Sequence, residues 1–232
     1  MSVRIWAISD LHLPAHQKPM DIFGEHWANH VSRISADWRA RVAAQDIVLL
    51  PGDLSWAMHL EEAQDDLAMI GALPGRKILL RGNHDYWWSS IGRVRRALEA
   101  GCFAIQNDSL FLDGILFAGS RGWVIPADEN AESDDARIYR RERQRLEMSL
   151  RSARDKSADA LLIAMLHYPP RSQMQAGFSD ILSAYGVRHA VYGHLHGAGL
   201  NGAIAGEVDG IIYHQVSCDG LGFRLAQIME CE

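Results

Sequence analysis

The 232-residue chain has few cysteines, no excess of positive charge and no long apolar run. Its three cysteines, Cys102, Cys218 and Cys231, are odd in number and far apart, so neither a disulfide framework nor a thiolate metal site is indicated. The formal net charge of -6 argues against a general attraction to nucleic acid or to an anionic membrane. An anionic ligand would therefore have to be captured at a local site.

The chain also lacks segments that direct a protein into or across a membrane. No stretch approaches the roughly 18 unbroken apolar residues of a membrane span. The first residues lead directly into a strand-like run, without a charged leader or a cleavable apolar segment, so a cytoplasmic protein is expected. Internal repeats, low-complexity tracts and flexible linkers are absent as well. We therefore expect residues 1–232 to form a single domain.

Short apolar runs rich in Val, Ile and Leu recur along the chain and end in polar or glycine-containing turns. This pattern is typical of the buried strands of an α/β protein. It predicts strands at residues 3–9, 46–50, 77–80, 160–166 and 189–192. Most of the intervening regions have helical patterns, and an amphipathic surface helix is predicted at residues 134–156. A central sheet covered by helices follows.

Two further regions favour antiparallel pairing. Asp113 and Gly114 separate two apolar runs within residues 109–120, which is a strong hairpin signal. The C-terminal runs at residues 211–216 and 223–229 have the same pattern, with a glycine-containing turn between them. Together with the other strands, these regions predict two sheets packed face to face.

Side chains that bind metal ions well follow each of the five predicted strands. They are Asp10-Leu11-His12, Gly52-Asp53, Gly82-Asn83-His84-Asp85, His167 and Gly193-His194-Leu195-His196. In open α/β sheets the ligand site lies outside the carboxyl ends of the strands, so these side chains are expected to converge. Their donor atoms are oxygen and imidazole nitrogen, which suit manganese, iron, zinc, cobalt or nickel better than copper(I) or an iron–sulfur cluster.

The spacing within each motif has a physical reason. Residues two apart in an extended chain point to the same side, so His194 can act together with His196. Gly52, Gly82 and Gly193 lie beside the candidate ligands, where the backbone needs a positive φ or a close approach to an ion. Any one of the histidines alone is more often an ordinary hydrogen-bonded residue, so the prediction depends on the whole set.

In this order, the motifs D-x-H, G-D, G-N-H-D, H and G-H-x-H resemble those of the calcineurin-like metallophosphoesterase family. The resemblance implies a four-layer α/β/β/α sandwich with two mixed sheets and two divalent metal ions, with manganese, iron or zinc favoured. It assigns one ion to Asp10, His12, Asp53 and His196, and the other to Asp53, Asn83, His167 and His194. Three further stretches, at residues 18–24, 54–58 and 86–88, resemble a bacterial subgroup of this family.

The resemblance also implies a reaction, the hydrolysis of a phosphate ester by a hydroxide that bridges the two ions. His84 would protonate the leaving oxygen or stabilise the transition state, and Asp85 is the second candidate catalytic residue. Asp85 could instead cap a helix, and Asn83 could instead stabilise a turn. Residues 52–58 lack the arginine of the G-D-x-x-D-R-G segment of the protein-phosphatase branch. This absence and the G-N-H-D form resemble the diesterase branches of the family, so a small phosphodiester is favoured over a phosphomonoester as the substrate.

Other functions stay open at this point, namely a phosphomonoesterase, a nuclease and a non-catalytic scaffold with the same fold. The acidic chain has no basic channel, which disfavours nucleic acid as a partner, and the filled ligand positions disfavour a scaffold. Trp87 and Trp88 could form an aromatic wall for a substrate or pack in the core. The basic run at residues 137–145 is expected to be a solvated helix face. His59 and His214 are in or after segments that could border the site.

Overall fold

The computed structural model describes residues 2–15 and 19–231. The chain forms two mixed sheets that pack face to face between two layers of helices, and this four-layer α/β/β/α sandwich confirms the fold class expected from the sequence. Residue 18, which begins a stretch that resembles the bacterial subgroup, lies outside the described residues. Across the described ranges, no helix combines the length and the apolar character that a membrane crossing needs.

The first sheet has five strands and the second has six. The first is formed by β1 (Val3–Ala7), β2 (Ile47–Leu50), β3 (Arg76–Leu79), β4 (Cys102–Ala104) and β11 (Ala226–Cys231). The spatial order is β11-β1-β2-β3-β4, with β11 antiparallel to β1 and the other neighbours parallel. Its outer face packs against helices α1 (His30–Arg41), α2 (Gln64–Gly71) and α3 (Ile91–Ala97).

The second sheet has antiparallel strands at both edges and parallel strands inside. It is formed by β5 (Ser109–Leu112), β6 (Ile115–Ser120), β7 (Leu161–Leu166), β8 (His189–Tyr192), β9 (Gly206–Val208) and β10 (Ile211–Gln215). The spatial order is β5-β6-β7-β8-β10-β9. Helices α4 (Asp134–Lys156) and α5 (Ser179–Ala184) cover its outer face.

Alternation along the strands explains how one sequence fills three apolar layers. Side chains point to opposite faces of a sheet at successive residues. In β6, Ile115 and Phe117 are buried between the two sheets, whereas Leu116 and Ala118 are buried on the side of α4. The layer between the sheets therefore holds them face to face and fixes the positions of their strand ends.

Helix α4 begins and ends at the residues expected from its pattern. Ser133 caps its first turn, where the hydroxyl accepts a hydrogen bond from the amide of Ala136 at 3.2 Å, and acidic residues follow in that turn. Three arginines of the basic run pair with acids, namely Arg137 with Asp134, Arg143 with Asp180 and Arg145 with Glu142, and Arg140 donates to backbone carbonyls. The basic run is therefore a solvated helix face, as expected.

One of the two predicted hairpins forms, and the other does not. β5 and β6 pair in antiparallel fashion around Asp113 and Gly114, which both have positive φ. The prediction for the C-terminal runs was wrong, because β10 pairs in parallel with β8 and β11 pairs with β1 in the other sheet. The carboxyl end of β10 therefore lies beside that of β8. The three-residue strands β4 and β9 were not predicted.

Candidate metal centre

The carboxyl ends of the central strands meet at one rim, where backbone hydrogen bonds join the two sheets. The amide of Ser9, after β1, donates to the carbonyl of Val216, after β10, at 2.9 Å. The amide of Gly193, after β8, donates to the carbonyl of His167, after β7, at 3.1 Å. The loops that carry the predicted ligands are thus held against one another by main-chain contacts.

Two groups of side chains at this rim have the composition and spacing of a metal site. Asp10, His12 and His196 form the first group, and Asp10, Asp53 and His167 form the second. Within each group, one ligand atom from each residue lies within 4.8 Å of the others. Four of these five residues are buried, and His196 is half-buried.

The two remaining predicted ligands lie beside the second group. The Oδ1 atom of Asn83 is 2.7 Å from Nε2 of His167 and 3.0 Å from Nδ1 of His194. The structure therefore brings together all seven side chains that the sequence singled out as metal ligands. It also places the side-chain oxygen of Asn83 toward the site, in the orientation that a ligand role needs.

His167 is oriented by a hydrogen bond on the side away from the cluster. Its Nδ1 donates to the carbonyl of Pro51 at 3.0 Å, which leaves Nε2 with a lone pair facing Oδ2 of Asp53 at 3.4 Å and Oδ1 of Asn83 at 2.7 Å. Three acceptors that face one another need a proton or a cation between them. Burial lowers the pKa of His167, but the Asp53 carboxylate outweighs it and raises the pKa to about 9. The space between Nε2 of His167, Oδ2 of Asp53 and Oδ1 of Asn83 therefore favours a positive charge.

His196 is oriented in the same way, by a carboxylate. Its Nδ1 lies 2.9 Å from Oδ1 of Asp219, and its Nε2 lies 3.3 Å from Oδ1 of Asp10. The amide of Gly197 also donates to Asp219, at 3.1 Å. Burial lowers the pKa of His196, but hydrogen bonds to Asp10 and Asp219 raise it to about 10. A carboxylate behind a histidine fixes the tautomer and the ring orientation of a metal ligand.

Asp10 is completely buried and remains ionised. Burial raises its pKa, but the hydrogen bond with His196 and the charge of His167 hold it well below the ordinary range. The hydroxyl of Ser9 and the amide of His194 also donate to this carboxylate. A buried carboxylate with this much support provides fixed negative charge for a cation.

Several of the candidate ligands have a backbone conformation that is unusual for residues with a side chain. The φ angles of Asp10, His12, Asp53 and His194 are 57°, 43°, 53° and 70°. Each such conformation costs about 1–3 kcal/mol, and it persists only where surrounding contacts require it. The loops are therefore built to present these side chains rather than to minimise local strain.

Two glycines allow the carboxylates to reach their positions. A Cβ atom on Gly82 would overlap the carboxylate and the amide of Asp53, and one on Gly193 would overlap Ser9 and the carboxylate of Asp10. The sequence predicted a positive φ or a close approach to an ion at these glycines, and the structure shows instead a close approach of the backbone to the side chains of candidate ligands.

Asp85 has a different role from the catalytic one predicted from the sequence. It is completely buried, and its carboxylate accepts hydrogen bonds from the amides of Asp53, Leu54 and Gly82, each at 2.8 Å. Trp87 also donates to it, through Nε1 at 2.9 Å. Burial and then the charge of Asp53 raise the pKa of Asp85 to about 6. A cavity lies beside the candidate ligands and is bordered by His12, Asp53 and His196. Asp85, with its oxygens enclosed by these donors, fixes the two ligand loops and does not line this cavity.

His84 lines the cavity beside the candidate ligands. Its amide donates to Oδ1 of Asp53 at 2.8 Å, and its ring lies 4.9 Å from the ring of Trp56. Trp56 also stacks on His12, with ring centroids 4.7 Å apart and an interplanar angle of 22°. The ring of Trp56 therefore packs against both His84, the predicted proton donor, and His12, a predicted metal ligand.

Several other sequence hypotheses are decided by burial. Trp87 and Trp88 are 1% and 3% exposed and pack in the core beneath α2 and α3, so they do not form a substrate wall. His59 is exposed and does not border the cavity. His214 pairs with His189, away from the metal-binding groups.

The residues present fit divalent metal ions. The donors are carboxylate oxygen, amide oxygen and imidazole nitrogen, and two histidines have their second nitrogen held by an acceptor. In addition, Nδ1 of His12 is buried and has no hydrogen-bond partner among the described residues. The model of a protein family described as calcineurin-like phosphoesterase matches residues 3–198.

The chain belongs to the calcineurin-like phosphoesterase family. Solved structures with similar folds include a phosphopantetheinyl hydrolase from Mycobacterium tuberculosis, with 15% identity, a TM-score of 0.56 and coverage of 98% of this chain and 96% of that one. A protein of unknown function from Aquifex aeolicus has 15% identity, a TM-score of 0.51 and coverage of 97% and 95%. At such low identity, these likenesses show the fold alone. A search of curated proteins found no match.

Sequence reasoning missed Asp219 and most of the aromatic side chains around this phosphoesterase site. Asp219 follows β10 as the candidate ligands Asp10 and Asp53 follow their strands, so the strand-end rule would have brought it to the same rim. The hairpin predicted for the C-terminal runs concealed it, because a hairpin would have placed Asp219 in a remote turn.

Proposed function

We propose that the protein hydrolyses a small phosphodiester with two divalent metal ions. The observation that carries this proposal is the position of Asp53, whose Oδ2 lies 3.4 Å from Nε2 of His167 and 3.9 Å from Nε2 of His12. These histidines belong to different groups of candidate ligands, so one carboxylate reaches both. The two groups also share Asp10. We assign the bridging role to Asp53 because one of its oxygens, Oδ2, faces both histidines.

The first ion would be held by Asp10, His12, Asp53 and His196, and the second by Asp53, Asn83, His167 and His194. Manganese, iron and zinc suit this donor set. When bound, two such ions supply a hydroxide nucleophile near neutral pH and neutralise charge on phosphoryl oxygens. The chain itself positions the ligands through Asp85 and Asp219. His84, beside the cavity, holds a proton for the leaving oxygen.

The charge of the cavity favours a diester over a monoester. No lysine or arginine lines the cavity among the described residues. A monoester carries up to two negative charges on its phosphate, whereas a diester carries one and needs less neutralisation by the protein. The missing arginine of the protein-phosphatase branch agrees with this preference.

The test compares bis-p-nitrophenyl phosphate with p-nitrophenyl phosphate as substrates for metal-stripped protein that has been refilled with manganese. We expect metal-dependent hydrolysis, faster for the diester, and its loss in Asp53→Asn. The matched control is Asp65→Asn, an exposed acid on α2, which should behave as the wild type. Folded protein that hydrolyses neither ester with manganese, iron or zinc would overturn the proposal.

The cytoplasmic location, the bacterial subgroup and the single domain stay predictions from the sequence. The same holds for the low affinity for nucleic acid expected of an acidic chain.

A further inference from the structure

The cavity beside the candidate metal centre has two unlike sides. It has a volume of about 450 Å³, and its floor is formed by candidate ligands and His84. The opposite side is mostly apolar. It is formed by Met20, Phe23, Trp27 and Trp56, which we call the aromatic wall, with His26 beside Trp27. A cavity of this size accommodates more than a phosphate group.

The inner part of the aromatic wall is largely buried and contacts the histidines that are candidate metal ligands. Trp27 is 4% exposed, and its ring lies 5.7 Å from the ring of His196. Trp56 stacks on His12, and its Nε1 donates to Sδ of Met20 at 3.0 Å. A group that extends from a phosphate at the ions would therefore meet these rings directly.

The outer part of the aromatic wall is exposed. Phe23 lines the cavity although it is 57% exposed, in a short 3-10 helix (Asp21–Phe23) that faces the mouth. An exposed aromatic ring that continues a buried apolar surface into a cavity marks a ligand-binding surface. Its neighbour Ile22 is 67% exposed and does not line the cavity.

The charges around the cavity limit what the wall can bind. The carboxylates of Asp53 and Asp219 line it, whereas no lysine or arginine among the described residues does. The charge of Asp53 would be taken up by the metal ions. A substituent with its own phosphate or carboxylate, lying away from the ions, would therefore find the carboxylate of Asp219 and no lysine or arginine among the described lining residues. An uncharged substituent avoids this repulsion.

We propose that the aromatic wall binds an uncharged, flat and apolar substituent of the phosphodiester, such as an aryl group, and that Phe23 contributes to its selection. This inference rests on the proposed function, because the phosphate must lie at the metal ions for its substituent to reach the wall. Aromatic rings pack well edge to face or offset against such groups. The substrate class is therefore a phosphodiester with at least one aryl-like group and no second anionic group beside it.

The test uses three phosphinates without an ester bond to cleave, titrated calorimetrically into the manganese-loaded protein. They are methyl(phenyl)phosphinate and dimethylphosphinate, which are monoanions, and methyl(4-carboxyphenyl)phosphinate, which is a dianion. We expect the phenyl compound to bind about tenfold more tightly than the methyl compound. The carboxyphenyl compound, which adds a negative charge, should bind more weakly than the phenyl compound. Phe23→Ala should lower the affinity for the phenyl compound roughly threefold and leave that for the methyl compound unchanged.

Ile22→Ala is the matched control, since it removes an exposed apolar side chain from the same helix but not from the cavity. It should change none of the three affinities. Equal binding of the phenyl and methyl compounds, or no effect of Phe23→Ala, would overturn the inference even if bis-p-nitrophenyl phosphate is hydrolysed. Selective phenyl binding without hydrolysis of either ester would instead overturn the proposed function and leave the wall as a binding surface.

Discussion

The two ends of strand β8 each carry a histidine, and the two histidines have different surroundings. At the start of the strand, His189 pairs with His214, with Nδ1 and Nε2 3.0 Å apart and the rings nearly parallel. Just after the end of the strand, His194 faces Asn83, and its amide donates to Asp10. The same residue type on the same strand is thus in a histidine pair at one end and in a carboxylate cluster at the other.

Negative charge is what separates these two regions. Burial lowers the pKa of both His189 and His214. The charge of Arg188 lowers the pKa of His189 further, and His189 does the same to His214. At the other end, burial and the charge of His167 also lower the pKa of His194, to about 4, but the carboxylates of Asp53 and Asp10 oppose that shift and raise the pKa of His167 despite its complete burial. Histidine content alone therefore does not make a metal site. Buried carboxylates at the carboxyl ends of strands do.

The largest expected effect comes from removing one histidine from each end of β8. His194→Ala removes a candidate ligand and should lower both the retained manganese and the hydrolysis of bis-p-nitrophenyl phosphate by at least roughly 100-fold, more than a change behind a ligand usually costs. His189→Ala should leave both near wild-type values. Metal content after dialysis and the hydrolysis rate are the measurements. Equal losses in the two variants would show that the two ends do not differ in function.

A smaller effect is expected from the carboxylate behind His196. Asp219→Asn keeps the size of the side chain but removes the charge that orients the ring, and such changes typically lower metal affinity about 10- to 100-fold. Asp209→Asn, an exposed acid paired with Arg171, is the control. Manganese titration of both variants provides the affinities. An Asp219→Asn variant with unchanged affinity would mean that His196 needs no carboxylate partner.

The parts of the site that the sequence predicted are those encoded by local pattern. Asp10, Asp53 and His167 each follow a run of apolar residues, so their position at a strand end could be inferred without knowing which strands are neighbours. The hairpin at residues 109–120 was predictable for the same reason, because Asp113 and Gly114 specify its turn locally.

What the sequence could not provide was the pairing of distant segments. The pattern of β10 does not state whether it pairs with the next strand or with β8, because both arrangements bury the same alternate side chains. Asp219 was missed as a result. Trp27 was also missed, because its contact with His196 joins residues far apart in the chain. The role of Asp85 was mistaken since its donors come from loops around Asp53 and Gly82.

The smallest expected effect is a pH dependence of stability at the histidine pair. Burial lowers the pKa of His214 from 6.5 to about 4, so the unfolded chain takes up a proton at this residue between these values while the folded protein does not. The contribution of His214 to stability is therefore complete above about pH 6.5 and is lost as the pH falls toward 4.

Replacing His214 with glutamine should remove this loss. The Tm of wild-type protein should fall more between pH 7.5 and 5 than that of His214→Gln, by roughly 2–4 °C. The metal-binding residues titrate equally in both proteins, so the difference between the two Tm curves isolates the pair. His59→Gln changes an exposed histidine and should follow the wild-type curve. Parallel curves for wild type and His214→Gln would show that the pair is solvated enough to accept a proton, which would remove the electrostatic contrast between the two ends of β8.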